Sequence, residues 1–594
     1  MKTFKVWILT LGIVLAMLLT ACNADTGDTG ETTQSGEEAP AQTVTLVGEG
    51  APEFKVLRGD TCPDKETDAA VALRKALIAA TGVEPAIGTD WVKRGEEPPT
   101  DTYEILVGNT NRPETADALS RLGENQYIIK LYGENRLVLV GSHVTGTTEA
   151  VDVFIATYLS SQGSALTLPA DYEVIADISY VILEDLSMYK NAMKIDDLYG
   201  KLTVDEVKAF TGYVEANFKP ARNNDGNAMI YGETGGTLEV LNLIYKQTGY
   251  TRMLPVMCKI ADAMMAARND QENGAKTEYL MGGVQPAWSS GNFVGVEIGD
   301  IAGHILFVAE NILNTPEVWD VEIPDGDPYG YGKTYKERAV KYVELCDQTL
   351  RDYLMKYFIN DEYRAFEDSG ITKSNSKVSN CTDKFHPWNR QFMMVGGFVH
   401  GAKCHRILKD NDALADEYDK VVQALVDFFV SQLRTTTVNG EKCYVWNYWP
   451  AVSNYQNSLG KTCSQTGGKI EDANDAHMAY DVYGMYICHL YGYDTVTDEV
   501  MQRFCNTLNN LIYDPDHAAG VFRGSVNGQT GKADKNWMWP QIITLGIYDE
   551  ESYKILFSTS TMNGGLNRNI QRLGRALYTK SLLYGITPEV EALQ

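Results

Sequence analysis

The feature that most constrains the fold of this chain is a run of helical segments that fills residues 179–594. Apolar residues recur there at helical spacing, and loops that contain glycine separate successive segments. Many segments end at Gly or Tyr, and the next begins after an Asp or Thr cap, which is typical of antiparallel helical hairpins. We place helices near 203–217, 234–248, 251–268, 298–313, 333–358, 389–409, 413–434, 472–492, 496–513, 536–546, 549–558 and 567–584.

Twelve helices in six hairpins predict a mainly α fold, an (α/α)6 toroid, in which inner helices surround a funnel and loops at one end form a cleft. The alternative is an open α-solenoid, which requires a fixed repeat length. Because the hairpins are irregularly spaced and the loops between them are long and aromatic, we favour the closed toroid. The loops in question are 269–297, 314–332, 359–388 and 435–471.

A smaller domain, residues 44–178, precedes the helical domain, 179–594, because short strand-like and helix-like segments alternate there. A β-hairpin is predicted between Gln126–Leu131 and Arg136–Val140. Further strands are expected near 53–57 and 103–107, and helices near 68–80, 114–122 and 147–159. This alternation predicts a small α/β domain.

The first 22 residues have the organisation of a bacterial lipoprotein signal peptide. Lys2 and Lys5 precede an apolar run at 6–19, and the sequence LTAC, which ends at Cys22, forms a lipobox. The run is short for a membrane span, and residues 23–43 are polar, as in a flexible tether. We therefore expect lipidation of Cys22 and a location outside the cytoplasm, at the cell surface, with the lipid as the only membrane contact. An uncleaved membrane anchor is the alternative.

Composition excludes several partners and cofactors. A formal charge of −27 without any cluster of Lys or Arg argues against nucleic acid, and it also favours neutral substrates unless the cleft is locally positive. Nine cysteines remain once Cys22 is set aside, and no CxxC pair occurs, so we expect buried thiols with one or two disulfide bonds. His400 and His405 are poorly spaced for a metal, and we expect neither a metal ion nor another cofactor.

Eight aromatic residues in or beside the predicted loops are candidates for binding sugar rings, whose C–H faces stack on aromatic planes. They are Trp288, Phe385, Trp388, Trp446, Tyr448, Trp449, Trp537 and Trp539. Such residues can instead close the end of the helical barrel, but we favour glycan binding. The expected partner is a poly- or oligosaccharide, and the protein is expected to be a monomer.

Three predicted helix starts carry polar side chains suited to catalysis, because a helix N-terminus stabilises negative charge and can bind a carboxylate. Capping acids and a structural histidine are the alternative interpretation. The first group is Glu471, Asp472, Asp475 and His477, followed along the helix by Tyr480, Asp481, Tyr483 and Tyr486. The second is His386, Trp388, Asn389 and Arg390, and the third is Trp288, Asn292, Glu297 and Asp300.

These motifs carry two family resemblances. The order of segments at 103–115 ("YEILVGNTNRPET") and 127–159 resembles the non-catalytic N-terminal domain of β-hexosaminidases and α-glucuronidases, which implies a carbohydrate context but no active site. The motifs "HPWNR", "YVWNYWP", "EDANDAHMAYD", "GVFRGSVNG" and "NWMWP" resemble the six-hairpin carbohydrate-active superfamily, which contains glycoside hydrolases and polysaccharide lyases.

The second resemblance implies a mechanism. The chondroitin and hyaluronan lyases of that superfamily use an Asn, a His, a Tyr and an Arg, which this chain matches in order. The matched residues are Asn389, His477, Tyr486 and Arg523, with Tyr480 or Tyr483 as alternatives for the tyrosine. Asn389, with Arg390 or Arg523, would neutralise a uronate carboxylate, and the His and Tyr would move the protons of a β-elimination. We slightly favour this lyase function.

Two other functions stay open. A glycoside hydrolase would use a carboxylate pair, Glu471 or Asp472 with Glu297 or Asp300. A non-catalytic lipoprotein would bind glycans without converting them. The expected substrate-binding residues are Trp288, His386, Trp388, Arg390, Trp446, Trp449, Trp537 and Trp539.

Overall fold

The chain divides into two compact units, residues 1–178 and 179–594. We describe it from a computed structural model. The described residues are 42–593, except 49, 94, 124, 160–164, 179–183, 222–231, 277, 279–281, 289–297, 368–383, 458–459, 518–520 and 530–531.

The first unit is built on a six-stranded mixed sheet with the order β3-β2-β4-β6-β5-β8. Strands β1 and β7 form a separate pair. The strands of the first unit are β1 Thr43–Val47, β2 Lys55–Arg58, β3 Ala86–Thr89, β4 Glu104–Val107, β5 Gln126–Tyr132, β6 Arg136–Gly141, β7 Leu166–Pro169 and β8 Glu173–Asp177. Its helices are α1 Asp64–Thr81, α2 Pro113–Ser120 and α3 Val144–Phe154. The predicted hairpin is confirmed, because β5 and β6 pair antiparallel.

Alternating side chains of this sheet form two separate cores. Along β4, Ile105 belongs to the larger core and Leu106 to the smaller one, because neighbouring residues of a strand point to opposite faces. Strands β2, β3, β4 and β6 are parallel, and β4 is buried along its whole length. A parallel strand covered on both faces has a continuous apolar sequence instead of an alternating one.

The second unit is mainly helical, as predicted. Its helices are α4 Val204–Asn217, α5 Glu233–Thr248, α6 Leu254–Ala266, α7 Ile298–Leu313, α8 Tyr335–Thr349, α9 Trp388–Met393, α10 Val395–Leu408, α11 Asp412–Gln432, α12 Ala476–Leu490, α13 Asp498–Thr507, α14 Glu550–Leu556, α15 Ser560–Gly564, α16 Ile570–Tyr584 and α17 Pro588–Glu591. Helix α8 continues as a π-helical segment, Leu350–Met355, and one further turn, Lys356–Phe358. None of the helices in the described part of the chain combines the length and apolar character needed to cross a membrane.

Local sequence sets several helix ends. Thr203 and Thr334 begin α4 and α8 with capping boxes, in which the threonine and a glutamate three residues later satisfy each other's backbone N–H groups. Helix α5 ends at Gly249, whose φ of 61° lies in the left-handed region that favours glycine. The predicted helix at 536–546 is instead a short 3-10 helix, Pro540–Ile547. It has only eight residues, and its first carries no backbone N–H group.

Six segments of the second unit form a cycle of neighbours. In order these are α5, α7, α10, α12, the 3-10 helix Pro540–Ile547 and α16, and each contacts the next, while α16 returns to contact α5. All sixteen residues of α7 are buried, so this helix is covered on every side. Helices α6 and α8 pack on α7, α11 packs on α10, and α14 packs on Pro540–Ile547. The close approach of α7 and α10 requires glycine, because a Cβ atom at Gly303 would lie 2.7 Å from the backbone nitrogen of Gly397.

The region 435–471, predicted as a loop, contains two antiparallel hairpins, β9 Arg434–Val438 with β10 Glu441–Val445 and β11 Val452–Gln456 with β12 Thr462–Gln465. The signal for the first was present in the sequence, because Asn439-Gly440 is the preferred pair for a two-residue hairpin turn. Both residues have positive φ, 52° and 87°. A third hairpin joins β13 Phe522–Gly524 to β14 Lys532–Lys535.

Most described cysteines are buried free thiols, as expected: Cys258, Cys346, Cys404, Cys443, Cys488 and Cys505. Cys62 is free and half-buried. Cys463 on β12 is disulfide-bonded.

Candidate active site

The turn that precedes α12, residues 469–475, is the structural centre of the site, and we call it the acidic turn. The backbone N–H of Glu471 donates to the carbonyl oxygen of Trp446 at 3.0 Å. The N–H of Ala473 donates to the carbonyl oxygen of Gly524 at 3.1 Å. Asp475 accepts a hydrogen bond from the N–H of Ala476 and so caps α12. Chain segments before and after the acidic turn therefore hold it in place.

His477 lies in the first turn of α12 with 29% of its side chain exposed. Its Nδ1 atom is 3.9 Å from Oε1 of Glu471, and its ring centre is 4.7 Å from that of Tyr448. Burial lowers the pKa of His477, and the positive charges of Lys469 and Arg390 also lower it, while the charge of Asp472 raises it. The imidazole is therefore neutral at neutral pH and able to accept a proton.

Glu471 and Asp481 form a buried pair of acids next to His477. The N–H of Asp472 donates to Glu471 Oε1, and the indole N–H of Trp446 donates to Asp481 Oδ2, both at 2.8 Å. The other carboxyl oxygen of each has no hydrogen-bond partner among the described residues. Burial raises the pKa of both acids well above the ordinary range, and Asp481 raises that of Glu471 further. Burial and the mutual repulsion of the two acids therefore both favour their protonated forms.

Tyr448 stands beside His477 as a protonated phenol. Burial raises the pKa of Tyr448 to about 12, and the nearby Glu471 carboxyl group contributes. The ammonium group of Lys469 lies 5.1 Å from the centre of the Tyr448 ring. The site thus pairs a neutral imidazole with a hydroxyl group that keeps its proton, which is the combination of base and acid that a proton-transfer reaction needs.

Two cations act on this pair. Lys469 forms an ion pair with Asp472, and the charge of Arg390, the third residue of α9, lowers the pKa of both His477 and Tyr448. The adjacent Asn389 is buried, and its Oδ1 atom accepts no hydrogen bond from a described residue. Lys469 and Arg390 therefore place two positive charges beside the carboxyl groups of the acidic turn, in a chain with a strong negative net charge.

Three possible metal ligands also meet here, because donor atoms of Asp472, Asp475 and His477 lie within 4.8 Å of one another. The Lys469 ammonium already neutralises Asp472, and Arg390 adds a second positive charge near His477.

Four predicted substrate-binding residues require a correction. Trp288, Trp388, Trp446 and His386 are at most 4% exposed, so none offers a ring face to a glycan. The indole N–H of Trp288 donates to the carbonyl oxygen of Met264 at 2.7 Å, and that of Trp446 binds Asp481. These buried rings pack inside the domain and hold the segments that carry them. Trp449, Trp537 and Trp539 are only half-buried, as is Arg390.

The structure gives two members of the predicted lyase quartet hydrogen-bond partners outside the acidic turn. Tyr486 is buried on α12, nine residues after His477, which places it about 14 Å further along the helix. Its hydroxyl group is hydrogen-bonded to that of Tyr578. Arg523 binds Asp514 at 2.6 Å and the carbonyl oxygen of Gly528 at 2.7 Å. Tyr480 and Tyr483 are likewise buried.

The predicted hydrolase pairs combine Glu471 or Asp472 with Glu297 or Asp300. Glu297, like Asn292 and Cys22, lies outside the described residues. Asp300 is buried at the start of α7, and burial raises its pKa to about 6. It lines a cavity of about 20 Å³, enough for roughly one water molecule, together with Glu239 and His304.

Sequence reasoning did not single out Lys469 and treated Tyr448 only as a stacking ring. One signal was available. Lys469 follows Gly467-Gly468, and Gly468 has a φ of 66° with the Trp449 ring 3.0 Å from where its Cβ would be. Paired glycines next to a charged residue therefore indicated a tight turn against an aromatic side chain.

Comparison with models of known protein families gives no match for this chain, and comparison with curated proteins gives no significant match either. The function must therefore be argued from the chemistry of the site.

Proposed function

We propose that this protein is a cell-surface carbohydrate-active enzyme with an (α/α)6 toroid, and that it cleaves uronate-containing glycans by β-elimination. The cycle of six segments supports the toroid, since inner helices that contact each other in order and return to the first are what such a ring requires. If each segment is joined to the next through an outer helix, all six segments point the same way along the axis of the ring. Their starts, with the loops that carry Tyr448, Lys469 and Trp537, would then share one rim.

The observation that carries the proposal is the neutral His477 next to the protonated Tyr448, within the field of Lys469 and Arg390. The two cations, with the amide of Asn389, would bind the uronate carboxylate and stabilise the charge that develops when C5 loses its proton. His477 would take that proton. The C4–O4 bond would then break as the C4–C5 double bond forms, and Tyr448 would protonate the departing O4.

The proposal is tested by incubating the purified protein with neutral and uronate-containing glycans. A lyase produces an unsaturated uronate at the new non-reducing end, which absorbs ultraviolet light. New reducing ends without that absorbance would show hydrolysis and overturn the lyase mechanism.

A glycoside hydrolase is the second candidate, because Glu471 has the raised pKa of a general acid. Against it, Glu471 is fully buried, whereas His477 is partly exposed. The variant Glu471→Gln distinguishes the two. It should lose hydrolysis entirely if Glu471 is the acid, but it should retain measurable elimination if Glu471 only supports His477.

The tyrosine that donates the proton can be identified with two matched variants. We expect Tyr448→Phe to lower kcat about a hundredfold, because the leaving oxygen loses its proton donor. Tyr486→Phe should change kcat less than about threefold, because that hydroxyl group lies in the core and binds Tyr578. Initial rates of unsaturated product formation measure both. The reverse ranking would restore Tyr486 as the catalytic tyrosine and remove Tyr448.

The location is part of the proposal. The lipobox at Cys22 supports a lipid anchor at the cell surface. In a bacterial host, the full chain should incorporate a radiolabelled fatty acid and partition with membranes, while Cys22→Ser should do neither. Membrane association of the Cys22→Ser variant without label would point to an uncleaved apolar segment instead.

A further inference from the structure

We propose that Lys535 and Trp537 form a subsite for an acidic sugar unit next to the one that reacts at His477, so that the preferred substrate carries acidic groups on neighbouring sugar units. This inference rests on the proposed glycan-degrading function and adds the class of substrate. It depends on residues that the proposed elimination does not use.

The β13–β14 hairpin is fixed directly onto the acidic turn. Asp472 forms a β-bridge with Ser525, and the side-chain amide of Asn474 donates to the carbonyl oxygen of Ala533 at 2.6 Å. These contacts, with the Ala473 to Gly524 bond, join both strands of the hairpin to residues that lie just before His477. Lys535, the last residue of β14, therefore has a defined position relative to the catalytic histidine.

Lys535 is held with its charge above an aromatic ring. Its ammonium group lies 4.3 Å from the centre of the Trp537 ring and donates to the carbonyl oxygen of Asn474 at 2.9 Å. An ammonium group has three donors, and this hydrogen bond uses one. Partial burial lowers the pKa of Lys535, so the group gains from an anionic partner more than an exposed lysine would.

Trp537 and Trp539 supply the apolar part of a sugar site. Their ring centres are 5.9 Å apart at an angle of 60°, which forms a bent aromatic surface. The indole N–H of Trp539 is buried and has no acceptor among the described residues. A sugar ring that contacts the bent surface of Trp537 and Trp539 beside the Lys535 ammonium group would present its acidic group to that ammonium group.

The cations of the site form two zones that act on different groups. Arg390 and Lys469 act on His477 and Tyr448, while Lys535 acts with Trp537, and the carboxylate of Asp472 is near both lysines. A glycan in which acidic and neutral sugars alternate would use only the first zone. A glycan with acidic groups on successive units would use both, which is why we assign that class to this site.

The test compares a homopolymer of uronic acid with a polymer in which uronic acid alternates with a neutral amino sugar. Lys535→Gln should raise KM about tenfold on the homopolymer with kcat nearly unchanged, and raise it less than about twofold on the alternating polymer. Lys535→Arg, which keeps the charge, should restore most of the loss. Equal effects on both polymers, or no effect on either, would overturn the subsite.

The control is Lys420→Gln, which removes one positive charge from an exposed pair with Glu417 on α11 and should change neither KM. Calorimetric titration with a uronic acid trimer separates this inference from the proposed reaction. If no unsaturated product forms but the trimer binds, and Lys535→Gln weakens binding about tenfold, the lyase fails and the subsite stands. If elimination occurs and Lys535→Gln binds the trimer as well as the unchanged protein, the subsite fails and the lyase stands.

Discussion

Replacing His477 with alanine is expected to lower kcat about a thousandfold while the midpoint of thermal unfolding stays near that of the unchanged protein. The loss in rate follows because no other neutral base adjoins Tyr448 and the two cations in the described part of the site. The stability should be retained because His477 is partly exposed and its Nδ1 atom has no hydrogen-bond partner among the described residues. Initial rates of unsaturated product and circular dichroism melting curves measure the two quantities.

The matched control is His489→Ala. His489 lies near the other end of α12, has a similar exposure of 26% and is hydrogen-bonded to the Tyr548 hydroxyl group. Its removal should change kcat less than about twofold. An active His477→Ala variant would contradict the assignment of the base, and one that no longer folds would contradict the expected stability.

The pKa of His477 predicts how the rate of the same reaction changes with pH. A general base must be unprotonated, and burial with the charges of Lys469 and Arg390 lowers the pKa of His477. The rate should therefore remain high below about pH 6.5, where an ordinary histidine becomes protonated, and fall only at lower pH. Lys469→Gln should move that fall to higher pH, because it removes a charge that opposes protonation. An acid limb that is unchanged in this variant would mean that another group titrates.

The second large effect concerns stability. Arg575→Ala is expected to lower the free energy of unfolding by about 3–5 kcal/mol. Arg575 is fully buried and pairs with Glu239, which is 4% exposed, and its guanidinium group lies 5.1 Å from the centre of the Tyr483 ring. The substitution would leave the Glu239 carboxylate buried without its partner. Urea denaturation measures the change.

This pair joins α16 to α5, residues that are 336 positions apart, at the point where the cycle of helices returns to its beginning. The double variant Arg575→Met with Glu239→Leu should recover much of the loss, because it removes both buried charges. Lys554→Ala, which breaks an exposed pair with Glu550, should have little effect. If Arg575→Ala were as mild as Lys554→Ala, the closing contact between α16 and α5 would not contribute to stability.

Local signals in the sequence predicted much of the secondary structure. Helical spacing of apolar residues predicted the helices, and the hairpin between β5 and β6 followed from its two apolar runs. The β9–β10 hairpin could have been predicted in the same way, because Asn439-Gly440 is a preferred pair for its turn. The 3-10 helix at Pro540–Ile547 differs from the prediction because periodicity alone does not distinguish a short 3-10 helix from an α-helix.

The sequence by itself determined the mainly helical second unit, the α/β character of the first, and the grouping of Glu471, Asp472 and His477 at one helix start, because each depends on spacing between near neighbours. Only the tertiary structure decided which side chains face solvent and which charges meet. It buried Trp288, Trp388 and Trp446, gave the Tyr486 hydroxyl group a core partner, and brought Tyr448, Lys469 and Arg390 to His477. The pKa of a group depends on burial and on charges from distant parts of the chain, and sequence spacing carries neither.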